Sequence, residues 1–258
     1  MKAIILTHDD RSYLANLTIS SYSTLWKNNE FTFLVPYNNT KPKIKHPNVE
    51  LIKSPKSIRG TIKALLDNID DNEFVYWCMD DLYLFRVYNQ ALLEGIYQQV
   101  ANNNVPKEAH SIRLIRKRYH PLEKYKEACI INGLVFHKLY PWKFYGFWFH
   151  SFVRCWVLRK VFLRSDLPSE YDIGSVNSAG SDLEHNVFLP KKTLFVLGET
   201  SRKGKLTRNC IQDAKRFNVQ IPDDVDRLKY SVYNNRIHKD DVRQILLETE
   251  KRVVDDIA

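Results

Sequence analysis

The chain has 258 residues, 44% of them hydrophobic and 27% charged, and a formal charge of +9. This is an ordinary globular composition with enough chain for one large domain or two small ones. Only 8 glycines are present and neither GxGxxG nor GxxxxGK[ST] occurs, which argues against a Gly-rich phosphate loop; no apolar run approaches the roughly 18–20 residues that span a bilayer. The N-terminal MKAIILTHDD holds an apolar stretch too short for a signal peptide. Cys78, Cys129, Cys155 and Cys210 form no CxxC pair and read as reduced thiols of a cytoplasmic protein.

In chain order, Lys2–Thr7 reads as a short buried strand, broken by His8-Asp9-Asp10-Arg11. Residues 12–26 carry apolar side chains at roughly helical spacing, with Asp9, Asp10 or Ser12 as cap. Phe31–Val35 and Val49–Ile52 are strands on either side of a polar loop holding Pro42 and Pro47. Residues 57–69 form a helix capped by Ser57, with Ile58, Ile62, Leu65, Leu66 and Ile69 on one face. The run from Glu73 to Phe85, EFVYWCMDDLYLF, is a strand of the buried type. This alternation predicts a mixed, mostly parallel sheet flanked by helices.

Beyond it, the pattern predicts a helix over residues 89–100, a strand over 111–115, a helix over 151–163, a capped helix over 181–189, a strand over 193–197 and a polar basic loop over 199–208. Periodic apolar residues after Asp223 predict a terminal helix. No repeat or linker is evident. The reading is one domain, with a nucleotide-binding half (1–88), an acceptor-binding and catalytic half (89–210) and a helical C-terminal part (211–258).

Two features point to chemistry. The first is Asp80-Asp81, set inside the apolar run. A bare carboxylate costs several kcal/mol in an apolar interior, so the pair belongs where the strand emerges at its carboxyl end. Ligands bind at that edge of an open α/β sheet, and two hard oxygen donors there suit Mn²⁺ or Mg²⁺ with substrate phosphates. A plain turn or helix cap is the alternative. The second is charge distribution. Residues 111–164 carry 12 basic and 2 acidic side chains, against 12 and 12 in residues 1–110 and 15 and 16 in residues 165–258. Such a segment attracts polyanions, and its basic, aromatic character would also suit peripheral contact with an anionic membrane.

The segments ILTHDDRSYL, SIRGTIKALLDNI and FVYWCMDDLYL, in that order, resemble the nucleotide-binding half of GT-A (Rossmann-like) glycosyltransferases. The resemblance covers about residues 1–88. In that family a DxD-type motif binds a divalent metal that holds the sugar-nucleotide diphosphate. Here the motif reads Met79-Asp80-Asp81, so the first acidic position is a methionine. The resemblance then implies Asp81 as the direct metal ligand, with Asp80 as ligand or supporting group. It places Thr7, His8, Asp9 and Arg11 beside the nucleotide, together with Asp80 and with Arg59 at a helix start that favours anions. By position it makes Asp182, or else Glu184, the general base for the acceptor hydroxyl, the alternative being a capping box from Ser181 to Glu184. It makes Arg202, Lys203 and Lys205 a loop over the diphosphate, the alternative being a solvated charged turn.

The implied activity is sugar transfer from a UDP- or GDP-sugar to a glycan or lipid-linked acceptor in surface polysaccharide or glycolipid synthesis, in the cytoplasm or at the inner face of the membrane. Two other readings stay open: a phage-type glycosyltransferase acting on modified DNA bases, and a non-catalytic nucleic-acid-binding protein.

Overall fold

The computed structural model of the chain describes residues 1–115, 128–139, 149–164, 185–202 and 205–225. Its centre is a nine-stranded sheet of order β3-β2-β1-β4-β9-β6-β10-β8-β7. The strands are β1 (Lys2–Leu6), β2 (Thr32–Tyr37), β3 (Val49–Lys53), β4 (Phe74–Met79), β6 (Ser111–Arg113), β7 (Ala128–Ile131), β8 (Leu134–Leu139), β9 (Ser151–Arg154) and β10 (Val187–Pro190). Strands β3, β2, β1 and β4 pair in parallel. Strand β9 runs against both neighbours, β6 and β10 resume the first direction, and β8 opposes them. The sheet is therefore mixed and mostly parallel, as the sequence predicts.

Both faces are covered, which is why β1 and β4 read as continuous apolar runs. Ala3, Ile5, Phe33, Tyr76 and Cys78 point to one face, under helices α1 (Ser12–Leu25) and α3 (Gln90–Ala101). Ile4, Leu34, Val75 and Trp77 point to the other, under α2 (Ile58–Leu66) and α4 (Cys155–Phe162).

The apolar run splits at Asp80-Asp81. β4 ends at Met79, and β5 (Leu82–Val87) leaves the main sheet to pair antiparallel with β11 (Phe195–Glu199). Helix α1 lies between the main sheet and this ribbon. Its Thr18 hydroxyl donates to the Leu82 carbonyl at 3.2 Å, and the Leu84 amide donates to the Ser21 hydroxyl at 3.0 Å. These bonds satisfy the free edge of β5. A short hairpin, β12 (Ser201–Arg202) and β13 (Lys205–Leu206), leads to α5 (Arg208–Arg216). Thr207 caps α5, accepting from the Cys210 amide at 3.1 Å, and Cys210 and Ala214 pack on Leu14, Leu17 and Tyr83. Position 211, where a C-terminal part was expected to begin, lies inside this helix.

Several expectations need correction. No side chain caps the start of α1; it follows a 3₁₀ turn at Asp9–Arg11. Residues 151–163 are strand β9 followed by α4. The helix expected over 181–189 gives way to strand β10 in its described part. The loop expected over 199–208 contains the β12–β13 hairpin. Hairpin β7–β8 was not expected, and α5 begins at Arg208, ahead of the helical part expected from 211. The terminal helix expected after Asp223 lies almost wholly outside the described residues.

Candidate active site

The carboxyl ends of β1 and β4 are adjacent, because Leu6 pairs with Met79 in the parallel ladder. Asp80 is the first residue past that pair. It is 5% exposed, and its amide donates to the Leu6 carbonyl at 3.2 Å. Thr7, one residue past Leu6, donates its hydroxyl to Asp80 Oδ2 at 2.8 Å. Arg11 brings a guanidinium nitrogen to 3.8 Å from Asp80 Oδ1. Both carboxylate oxygens thus face the chain that follows β1. Burial nevertheless dominates and pushes the Asp80 carboxyl up to about 7, against the opposing pull of Thr7 and Arg11.

Asp81 is half-buried in the same turn. The turn is held from a third direction: the Thr200 hydroxyl donates to the Asp80 carbonyl at 3.0 Å, and the Thr200 amide to the Asp81 carbonyl at 2.9 Å. Thr200 closes β11 and precedes the β12–β13 hairpin, so Arg202 and Lys205 stand on a ribbon rooted at the aspartates. The Thr207 amide returns to the Thr200 carbonyl at 3.1 Å and closes the base of that ribbon.

A fourth support comes from below. His150 is fully buried beside the last residue of β4, its Nε2 2.9 Å from both the amide nitrogen and the carbonyl oxygen of Met79. Its Nδ1 lies 2.6 Å from the Tyr22 hydroxyl, which in turn lies 2.9 Å from the Tyr76 hydroxyl. This polar chain runs through an aromatic core and ends on the peptide that carries Asp80.

The structure therefore brings together Thr7, Arg11, Asp80 and Asp81. His8 is exposed beside them, with its imidazole pKa lowered by partial burial and by Arg11. Asp9 has a different task. Its carboxylate accepts from the amides of Asn38, Asn39 and Thr40 at 2.7–2.8 Å, and these bonds, that of Asn38 foremost, hold its pKa below the usual range. It shapes the loop after β2 rather than the space above Asp80. Arg59 lies in the first turn of α2, and its guanidinium donates to the Arg164 carbonyl at 2.7 Å, tying α2 to the end of α4. Asp182, Glu184 and Lys203 lie outside the described residues.

The basic segment is less of a free patch than its composition suggests. Arg113 is buried over the Phe149 ring at 4.8 Å, and burial pushes its guanidinium down to about 10. Arg154 donates to the carbonyls of Ala109 and Asn72 and sits 4.3 Å above the Phe74 ring. Arg159 pairs with Asp71 and donates to the carbonyls of Leu66 and Ile69. These three cations build the fold, so the polyanion-binding patch loses them.

For a divalent metal, the donor set is two neighbouring carboxylates at the sheet edge, one buried and one half-buried. Among the described residues no cluster of three or more His, Cys, Asp or Glu exists. Two hard oxygens fit an ion whose remaining positions are filled by phosphate and water. They do not form a closed protein cage. Asp80 is engaged by Thr7 and Arg11. Thr200 and His150 were not foreseen from the sequence; they lie 120 and 71 positions from their partners.

No protein-family model matches the sequence, and no curated protein matches it. Solved structures do resemble it. The 2-C-methyl-D-erythritol 4-phosphate cytidylyltransferase of Francisella tularensis is 14% identical, with a TM-score of 0.45 over 84% of this chain and 98% of that one. The same enzyme from Thermus thermophilus is 10% identical, with a TM-score of 0.46 over the same shares, 84% and 98%. The glycosyltransferase GlyE of Streptococcus pneumoniae is 9% identical, with a TM-score of 0.42 over 92% of this chain and 59% of that one. Similarity at this level fixes neither activity nor ligand for this chain. Among the described residues no helix is long and apolar enough to cross a membrane.

Proposed function

We propose that the chain is a metal-dependent glycosyltransferase that moves a sugar from a UDP- or GDP-sugar to an acceptor hydroxyl. The observation that carries this is the Asp80-Asp81 turn at the carboxyl edge of a mostly parallel sheet, with Thr7 and Arg11 beside it. In this reading Asp81, supported by Asp80, holds Mn²⁺ or Mg²⁺. The ion supplies positive charge to the diphosphate leaving group. Thr7, His8 and Arg11 face the nucleotide, Asp9 shapes the loop at its side, and Arg59 adds positive charge at the start of α2. Arg202, Lys203 and Lys205 close over the diphosphate, where their charge counts most as the glycosidic bond to phosphate breaks. Asp182, or else Glu184, takes the proton of the attacking hydroxyl. The acceptor is a glycan or a lipid-linked glycan of surface polysaccharide or glycolipid synthesis, reached in the cytoplasm or at the inner face of the membrane.

Hydrolysis and transfer of UDP- and GDP-sugars with Mn²⁺ test this. Turnover should appear with at least one nucleotide sugar and fall at least a hundredfold in Asp81→Ala. Full turnover in that variant would remove Asp81 from the reaction.

A further inference from the structure

A groove of about 450 Å³ opens at the far end of the elements that build the site. Helix α1, strand β5 and helix α5 all start near Asp80-Asp81 and run away from it. The groove lies where they finish, between Leu25, Phe85 and Arg216. The 14 residues of α1 separate the two places by about 20 Å.

Its lining is unusual for a surface groove. Lys27, Arg86 and Arg216 bring three cations to it, and none of its lining residues is acidic. Among the described residues no carboxylate lies within ion-pair distance of these three; Asp213 senses Arg216 from further off. Arg86 sits 5.7 Å above the Tyr88 ring and Arg216 5.5 Å above the Phe217 ring. Gln90 donates to the Lys27 carbonyl at 2.6 Å and ties the start of α3 to the end of α1. Phe85 is 41% exposed in the same groove, one of two large apolar side chains so exposed among the described residues.

Three like charges gathered with no carboxylate in ion-pair distance among the described residues repel one another and favour a multiply charged anion. An exposed aromatic face favours a flat or apolar moiety on that anion. The volume falls in the range of small-molecule sites, about 300–1,000 Å³. We propose that this groove is a second ligand site that takes a nucleoside polyphosphate, its phosphates among Lys27, Arg86 and Arg216 and its base against Phe85.

The test is a titration of the full chain with methylanthraniloyl-ATP, read by fluorescence anisotropy in EDTA, so that no metal loads the Asp80-Asp81 turn. Saturable binding of one equivalent is expected. It should weaken at least tenfold in Lys27→Glu and again in Arg86→Glu, and persist in Asp81→Ala. Phe85→Ala should weaken the nucleotide while leaving competition by inorganic triphosphate unchanged. Thermal melts of each variant identify any that fails to fold, and the two charge reversals stand on different elements, so one suffices. Absence of saturable binding, binding unchanged by both charge reversals, or loss of binding in Asp81→Ala would each overturn the proposal. Because metal is excluded, these outcomes are independent of whether the Asp80-Asp81 turn transfers sugars.

Discussion

The Thr7 hydroxyl donates to Asp80 Oδ2 at 2.8 Å, so the ends of β1 and β4 are joined by side chains as well as by backbone. The bond lies where the apolar run from Phe74 to Phe85 is interrupted by Asp80-Asp81. Removing the donor leaves a nearly buried carboxyl with one fewer partner. Thr7→Val should therefore destabilise the fold by about 1–3 kcal/mol, and Thr7→Ser should recover most of that. Urea unfolding at pH 7.5 measures both. Equal stability of the valine and serine variants would show that the hydrogen bond is idle.

Asp80 also sets a pH dependence. Its ordinary pKa of 3.8 rises to about 7 in the folded chain, so the folded state holds a proton that the unfolded chain has released. The stability tied to this group is complete below about pH 4 and is lost as the pH rises through 7. The slope approaches about 1.4 kcal/mol per pH unit between those limits. Urea unfolding in metal-free buffer from pH 4.5 to 8 should show the decline in the wild type and a flatter profile in Asp80→Asn. Parallel profiles would place the titration elsewhere.

How much of this was legible in the sequence differs from element to element. β4 is legible because both its faces are buried and its residues are all apolar, Val75 and the aromatic Phe74, Tyr76 and Trp77 foremost. The position of Asp80-Asp81 followed from the cost of burying carboxylates. What could not be read was that β5 leaves the sheet, because an apolar run looks the same whichever sheet it joins. Residues 151–154 read as helical because Phe152 falls in register with Cys155, Trp156, Leu158 and Phe162; Phe152 and Val153 face opposite sides of β9, one in each core. Hairpin β7–β8 did carry a signal: Asn132 and Gly133 have φ of 47° and 76° and form the Asn-Gly turn between two apolar runs. Thr200 and His150 reach Asp80 and Met79 through long-range packing, which one sequence does not encode locally.

His150 gives a third prediction. Its ring Nε2 lies 2.9 Å from both the amide and the carbonyl of Met79 in the protein interior. Phenylalanine fills similar volume and cannot replace that polar contact or the Tyr22 contact. His150→Phe should cost at least about 2 kcal/mol and speed amide hydrogen exchange at Met79 and Asp80 before that of β1. Uniform acceleration across the sheet would mean that His150 stabilises the core generally and does not hold the aspartate turn.

Arg154 gives a fourth. Its fork reaches two carbonyls while its plane covers Phe74, a geometry that lysine does not reproduce. Arg154→Lys should lose about 1–3 kcal/mol in urea unfolding although the charge is kept. An unaffected variant would show that the fork and the stacking on Phe74 add nothing beyond the charge.

The account stands or falls on whether Asp81 helps to hold a metal–nucleotide complex at the sheet edge. Melting of the wild type and Asp81→Ala with UDP or GDP, each with and without Mn²⁺, tests this most directly. At about a hundredfold excess over Kd, binding adds about 2.7 kcal/mol and should raise the wild-type Tm by roughly 5–10 °C. The rise should require Mn²⁺ and vanish in Asp81→Ala. No rise with either nucleotide, or the same rise in Asp81→Ala, would contradict it.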